Sequence, residues 1–315
     1  MTTDFDIHPD MADVIAAKQA IAQSTDPEEM RAAWLDYEAR LGRDRPTGMV
    51  VEDTAIPRPV PDGGKIAIRI YRPKGVRTPS PCVVYLHGGA FVKGSLDTGD
   101  TIAWGVAAEV DVVVVSVDYR LAPQYPFPAG PEDCYAVVSH LAKHGERFGV
   151  QGNRLALWGD SAGGNMAAAT CLMARDRGGP DIVAQALNYP CLTDELTSDS
   201  YRRYAESPGL RTVNMDWGWG HYLGDRRPTD DPYAAPLKAG DLSRLPPAHV
   251  HYAEIDPLAD DAVQYAERLA AAGNEVVARC ARRMIHGFVR ARFSGPDAAA
   301  EFIRPCEFLR EKLTE

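Results

Sequence analysis

A glycine-rich turn between a predicted strand and a predicted helix constrains the fold of this chain more than any other feature. The apolar run Leu-Ala-Leu-Trp at residues 155–158 is typical of a buried strand, and the pentapeptide GDSAG at 159–163 follows it directly. From Asn165 onward the sequence favours a helix. Such a turn lifts the hydroxyl of Ser161 out of the sheet, and its glycines let strand and helix pack closely. The helix N-terminus also favours negative charge that develops there.

Strands and helices alternate along most of the chain after Cys82. This pattern predicts a mostly parallel, doubly wound sheet of the α/β class with helices on both faces. Residues 48–57 and 64–73 are β-rich and bounded by proline and glycine, which indicates antiparallel strands at one sheet edge. Residues 296–315 indicate a closing helix, and Pro305 leaves an interruption of that helix open. Further strands are predicted within residues 82–89, 111–120, 154–164, 182–190, 247–257 and 275–284, and further helices within 11–23, 27–42, 132–149 and 165–178.

Two segments differ from this alternation. Residues 1–45 are helical in pattern, and residues 192–237 contain no clear strand but are rich in aromatic side chains. A helical insertion between two strands suggests a cap over the C-terminal edge of the sheet, where open α/β sheets bind ligands. Trp217, Trp219 and Tyr222 are candidate walls of a substrate pocket, with packing inside the cap as the alternative. The chain therefore divides into cap helices (1–45), a first core part (46–191), a cap insertion (192–237) and a second core part (238–315).

Composition matters here mainly for what it excludes. The formal net charge of −10 repels phosphate backbones and anionic headgroups, so neither nucleic acid nor a membrane surface is an expected partner. The six cysteines form no CxxC pair, which argues against a zinc site and a dense disulfide framework. The N-terminus lacks the basic start and apolar core of a signal peptide. We expect a cytoplasmic protein that needs no metal and no cofactor.

The loop His87-Gly88-Gly89-Ala90 ends an early predicted strand. A glycine-rich loop at this place supplies backbone N–H groups for a developing oxyanion, together with the N–H of Ala162, the residue after the serine. The alternative is a tight turn that needs glycine only for its backbone angles. His87 itself is expected to form structural hydrogen bonds.

A carboxylate and then a histidine should follow the serine in the chain. Of the histidines beyond Ser161, only His286 follows the last predicted strand, where a base can reach the turn. Asp256 ends the preceding strand and would hold the imidazole tautomer and stabilise the imidazolium, with Glu254 as the second candidate. Asp260 and Asp261 look like acids in the first turn of a helix.

The remaining histidines have plainer interpretations. His221 lies in the predicted cap. His249 and His251 stand two apart on a strand and could share a metal, but no third ligand is near, so they are interpreted as strand residues. His140 and His144 are interpreted as part of a solvated helical face, because no HExxH glutamate lies between them.

Six motifs together resemble the hormone-sensitive-lipase-like family of esterases, also called bacterial family IV. They are YLHGGAF (85–91), DYRLAPQYPFPA (118–129), GDSAGGN (159–165), DPYAAPL (231–237), DPLADDA (256–262) and IHGF (285–288). The resemblance spans most of the chain and implies an α/β-hydrolase fold whose cap is built from the N-terminal helices and the mid-chain insertion. The implied site consists of the triad Ser161, Asp256 and His286, with backbone donors from Gly88, Gly89, Ala90 and Ala162.

The chain departs from the family pattern in two places. Ala90 stands where the commonest loop has a third glycine, which keeps the N–H but is expected to narrow the alcohol side of the pocket. Gln124 and Tyr125 stand where the family often has Glu-His, in what we interpret as a packing loop.

The resemblance implies a serine carboxylesterase that hydrolyses small esters of short- to medium-chain acids through an acyl-enzyme on Ser161. Amide hydrolysis on the same triad, as in an amidase or deacetylase, is not separated from this by sequence. Plant gibberellin receptors share the fold and the serine but have lost the histidine and only bind, whereas this chain keeps His286. A homodimer, common among such proteins, is left open.

Overall fold

An eight-stranded sheet runs through the computed structural model, which describes residues 5–59 and 63–314. Its strands are β1 (Val50–Pro57), β2 (Lys65–Arg72), β3 (Ser80–Leu86), β4 (Val113–Val117), β5 (Val150–Asp160), β6 (Ala184–Asn188), β7 (Ala248–Ile255) and β8 (Val276–Ile285). They lie in the order β1-β2-β4-β3-β5-β6-β7-β8. The pairs β1–β2 and β2–β4 are antiparallel and all other neighbours are parallel. The predicted parallel sheet with an antiparallel edge is confirmed.

Helices connect and cover these strands. They are α1 (Ala12–Ala20), α2 (Pro27–Leu41), α3 (Asp100–Val110), α4 (Ala129–His144), α5 (Ala162–Asp176), α6 (Asp199–Arg203), α7 (Thr212–Leu223), α8 (Ala259–Ala271) and α9 (Pro296–Thr314). The sequence did not reveal α3, because residues 102–107 are all buried and so lack an amphipathic period. α9 continues through Pro305, whose neighbours Phe302 and Cys306 are buried against the sheet side of the helix.

Alternate side chains of the central strands face two different cores. In β4, Val113, Val115 and Val117 contact one core, while Val114 contacts the other. Side chains of α4, α5 and α8 fill the first core, and those of α3 and α9 fill the second. Because both faces are buried, these strands are apolar without alternation, which explains the valine run in the sequence.

The two segments predicted to cover the sheet edge are helical. α1 and α2 lie within residues 1–45, and α6 and α7 lie within 192–237, a segment without a strand. The segments touch each other, since Trp217 Nε1 donates to the carbonyl oxygen of Thr25 over 3.0 Å. The domain boundaries stay a prediction. In the described part of the chain, no helix is both long enough and apolar enough to cross a bilayer.

Candidate active site

Ser161 stands at the tip of a sharp turn between β5 and α5. Its backbone angles, φ 58° and ψ −119°, lie in a region that L residues rarely adopt, and its N–H donates to the Asn188 carbonyl oxygen over 2.9 Å. A Cβ on Gly159 would overlap the backbone of Gly163, and one on Gly163 would overlap the backbone of Leu86 in β3. The GDSAG sequence therefore folds this way because only glycine permits these approaches.

A chain of hydrogen bonds links the serine to a histidine and an aspartate. His286 Nε2 lies 3.0 Å from Ser161 Oγ, and His286 Nδ1 lies 2.8 Å from Asp256 Oδ2. Ser161 and His286 are each 7% exposed and Asp256 is fully buried. The other oxygen of Asp256, Oδ1, accepts the N–H of Leu258 over 3.0 Å, which orients the carboxylate. These three residues follow β5, β7 and β8, whose carboxyl ends meet at one sheet edge.

The other acid and histidine candidates lie elsewhere. Glu254 accepts the backbone N–H of Arg283 over 2.7 Å and does not contact His286. His251 Nε2 bonds Glu301 at 2.9 Å, and the neighbouring His249 is so deeply buried that its pKa falls to about 3. His221 packs edge-on against Trp217, with ring centroids 4.8 Å apart.

The glycine loop after β3 lies directly against the serine turn. A Cβ on Gly88 would come within 3.3 Å of Ser161 Cβ, so the loop and the nucleophile candidate are in close contact. Gly89 and Ala90 have φ of 137° and 53°, and both line the same cavity as Ser161. Within the described residues, the N–H groups of Gly89 and Ala90 donate to no carbonyl oxygen. Ala162 is the first residue of α5, where N–H groups have no partner within the helix.

His87, the first residue of this loop, is held in place by Tyr119. Its ring stacks on Tyr119 with centroids 4.3 Å apart, and the Tyr119 hydroxyl donates to the His87 carbonyl oxygen over 2.6 Å. Burial lowers the pKa of the His87 imidazole, which keeps it neutral. The expected structural role of His87 thus has a geometric basis.

A cavity of about 440 Å³ opens above Ser161 and His286. Its aromatic walls are Trp34 and Tyr37 of α2 and Tyr189 after β6. Sequence analysis missed these residues because they come from segments far apart in the chain, and nothing local marks them as neighbours of Ser161. The only local signal was the amphipathic pattern of α2.

The aromatic residues predicted as pocket walls lie outside this cavity. Trp219 and Tyr222 are buried and pack on Phe91, with ring centroids 4.7 and 4.0 Å away. Trp217 instead bonds the N-terminal segment. The pocket-wall interpretation is therefore corrected in favour of packing within the cap and against the loop after β3, because α7 turns this aromatic face toward the core rather than toward Ser161.

Several charged side chains line the cavity. Arg290 forms ion pairs with Glu38 at 2.7 Å and with Asp160 at 3.6 Å. Lys18 and Lys93 also line the cavity. Burial raises the pKa of Glu38 to about 7 and lowers those of Lys18 and Lys93 to about 7 and about 8. Sequence analysis did not anticipate this cluster.

Comparison with known proteins gives a consistent result. Residues 83–290 match the family model described as the α/β-hydrolase fold. Esterase LipI of Mycobacterium tuberculosis is 42% identical over 242 residues, which cover 76% of this chain and 75% of that protein. Carboxylesterase NlhH of the same organism is 40% identical over 251 residues, 79% of each protein. The crystal structure of a thermostable esterase from Pseudomonas putida ECU1011 superposes with a TM-score of 0.92 at 30% identity and covers 99% of both chains.

Proposed function

This chain belongs to the α/β-hydrolase family, in its hormone-sensitive-lipase-like branch, and is a serine carboxylesterase. We propose that Ser161, His286 and Asp256 are its catalytic triad. We further propose that its substrates are small esters of short- to medium-chain acids. The observation that carries the proposal is the Asp256–His286–Ser161 hydrogen-bond chain at the floor of a 440 Å³ cavity. A cavity of this size suits a small ester rather than a long-chain lipid.

In the proposed cycle, His286 Nε2 accepts the proton of Ser161 as Oγ bonds to the ester carbonyl carbon. The carbonyl oxygen becomes negative and accepts hydrogen bonds from the backbone N–H groups of Gly88, Gly89, Ala90 and Ala162. His286 then gives the proton to the departing alcohol oxygen and leaves the acyl group on Oγ. Water attacks the acyl carbon and gives a proton to His286, which returns it to Oγ as the acid leaves.

Residues 1–45 and 192–237 serve in this proposal as a two-part cap over the site. Lining residues from both segments support it, including Met30 from the first and Leu210 and Met215 from the second. A receptor that only binds would not need a histidine within 3.0 Å of the serine hydroxyl, so we favour catalysis.

The cellular setting and the oligomeric state complete the proposal. The six cysteines are free thiols, the usual state in a reducing compartment, which supports a cytoplasmic protein. The homodimer stays a prediction, and light scattering after size-exclusion chromatography measures it.

The test compares hydrolysis of p-nitrophenyl acetate, butyrate and octanoate by the wild type and by Ser161→Ala. We expect turnover of the two shorter esters and a loss of at least about a thousandfold in the variant. Ser243→Ala, in the loop before β7, is the control and should match the wild type. Equal activity of wild type and Ser161→Ala would reject the triad. A matched p-nitroanilide measures amide hydrolysis, and faster cleavage of the anilide would contradict the esterase proposal.

A further inference from the structure

Two lysine ammonium groups line the active-site cavity without a carboxylate partner. In the described ranges 5–59 and 63–314, neither Lys18 nor Lys93 forms a salt bridge. Lys18 donates to the carbonyl oxygen of Gly209, and the Lys93 ammonium lies 4.4 Å from the centroid of the Trp34 ring. Both contacts hold the side chains in place, but neither supplies a counter-charge.

An unpaired buried ammonium is unfavourable, because the loss of hydration is not compensated. Lys93 is only 9% exposed, and burial lowers the pKa of both lysines, with the Lys93 charge lowering that of Lys18 further. Both lysines line the same cavity. A ligand with a negative charge would relieve both effects.

The other charged side chains around the cavity have partners of opposite sign. Arg290 is paired with Glu38 and Asp160, as described above. At the rim, Arg211 Nε lies 2.8 Å from Glu206 Oε2, and both of these side chains are largely exposed. Arg290 and its two carboxylate partners leave one negative charge over, and Glu38 raises the pKa of both lysines. Lys18 and Lys93, with two positive charges and no described carboxylate within salt-bridge distance, therefore still leave one positive charge in excess.

Lys93 is also tied to the loop that faces the ester carbonyl. Its N–H donates to the Gly89 carbonyl oxygen over 2.9 Å, so its position follows that of the glycine loop. An ester bound at Ser161 therefore extends within the same cavity as the Lys93 side chain.

We propose that the physiological substrate is an ester that carries a free carboxylate, which binds to Lys93 with Lys18 adding to the local positive charge. This inference rests on the proposed esterase function and specifies its substrate class. The carboxylate belongs either to the acid half or to the alcohol half of the ester. The experiment below distinguishes these two positions.

The experiment compares two pairs of esters that differ only in a terminal carboxylate or methyl group. Monomethyl adipate is paired with methyl hexanoate for the acid half, and 4-acetoxybutanoate with butyl acetate for the alcohol half. The release of acid is followed by titration at constant pH. We expect one charged ester to exceed its neutral partner in kcat/KM by about tenfold or more, the range of a hydrogen bond to a charged group.

Variants of Lys93 assign this preference to the side chain. Lys93→Met should lower the charged-to-neutral ratio of kcat/KM by about tenfold, whereas Lys93→Arg keeps the charge and should keep most of the ratio. Lys18→Met should lower the ratio less. Lys143→Met, an exposed lysine on α4, is the matched control and should leave the ratio unchanged. Melting temperatures of all variants show whether each one folds.

The outcomes separate this inference from the function on which it rests. If neutral esters are hydrolysed and neither charged ester is preferred, the inference is wrong and the esterase proposal stands. An equal ratio in wild type and folded Lys93→Met also overturns it. If the wild type hydrolyses none of the four esters, the proposed function itself fails.

Discussion

At the scale of single residues, the environment of Asp256 supports a division of roles within the proposed triad. Its carboxylate is fully buried. One oxygen is hydrogen-bonded to His286 Nδ1, and the other accepts a hydrogen bond from the Leu258 N–H. A carboxylate held in this way keeps the imidazole proton on Nδ1 and leaves Nε2 free to accept the proton of Ser161. In the proposed triad, the aspartate therefore acts through the histidine and not on the substrate.

Asp256→Asn tests this division. The amide has the same shape but donates where the carboxylate accepted, so the imidazole adopts the wrong tautomer, and we expect kcat to fall by about 10⁴-fold. The rate of p-nitrophenyl butyrate hydrolysis measures kcat of the variant and of the wild type. Glu254→Gln is the control, and because Glu254 bonds Arg283 instead, its kcat should stay within about threefold of the wild type. A larger loss in Glu254→Gln than in Asp256→Asn would refute the assignment.

The buried His249 makes stability depend on pH. Its folded-state pKa is about 3, against 6.5 as the ordinary value. Below about pH 6.5 the unfolded chain therefore binds a proton at this site and the folded protein does not, so the free energy of unfolding falls as the pH falls. The slope is at most about 1.4 kcal/mol per pH unit for one such group.

His249→Phe removes this difference while keeping an aromatic ring beside Phe308. Between about pH 6.5 and 4.5, urea unfolding of the variant should lose about 1–2 kcal/mol less than that of the wild type. The exposed His144→Gln on α4 should retain the wild-type slope. Parallel pH profiles of wild type and His249→Phe would show that burial does not keep this imidazole neutral.

At the scale of elements, glycines set how closely a helix approaches a strand. α4 ends at His144 and the chain enters β5 within a few residues, so Gly152 of β5 passes under the end of the helix. A Cβ there would overlap the Ala142 carbonyl oxygen and lie 2.9 Å from that of Leu141. Backbone atoms cannot move aside as a flexible side chain can, so this packing requires glycine.

Two glycine-to-alanine substitutions should therefore have opposite effects. Gly152→Ala should lower the free energy of unfolding by about 1–3 kcal/mol through overlap with α4. Gly220 lies on the exposed face of α7, where an added Cβ meets no atom within 4 Å. Gly220→Ala should therefore raise the free energy of unfolding by about 0.5–1 kcal/mol. Urea unfolding measures both. A stabilised Gly152→Ala would contradict the close approach of α4 and β5.

At the scale of the whole molecule, one sheet joins two hydrophobic cores. Leu172 of α5 lies in the core on one side, and Phe302 of α9 lies in the core on the other. Because both cores use alternate side chains of the same strands, loss of either core removes one covered face of the sheet. We therefore expect the two cores to unfold together.

Leu172→Ala and Phe302→Ala test this cooperativity. Each should destabilise the protein by about 2–5 kcal/mol and shift one common transition, seen equally by tryptophan fluorescence and circular dichroism. The exposed Leu35→Ala should change stability by at most about 0.5 kcal/mol. Two separate transitions, of which each variant shifts only one, would show that the cores unfold independently.

The fold and the meeting of Ser161, His286 and Asp256 were largely predictable from sequence because their signals are local. Buried parallel strands have continuous apolar runs, and the serine turn needs glycines within five residues, so both appear in a short window. The helix α3 was not predicted, because burial on all sides removes the periodicity that identifies a helix. The continuity of α9 through Pro305 likewise depends on packing and not on propensity.

By itself, the sequence determined the alternation of strands with most of the helices, the serine turn, and the choice of Asp256 and His286 as the proposed partners of Ser161, because chain order and local chemistry specify them. Only the tertiary structure decided which walls surround the serine. It brings Trp34, Lys18 and Lys93 to the cavity and turns Trp219 and Tyr222 away from it. The reason is physical: a pocket is formed by side chains from distant segments, and their meeting depends on how helices pack on the sheet, which no short stretch of sequence encodes.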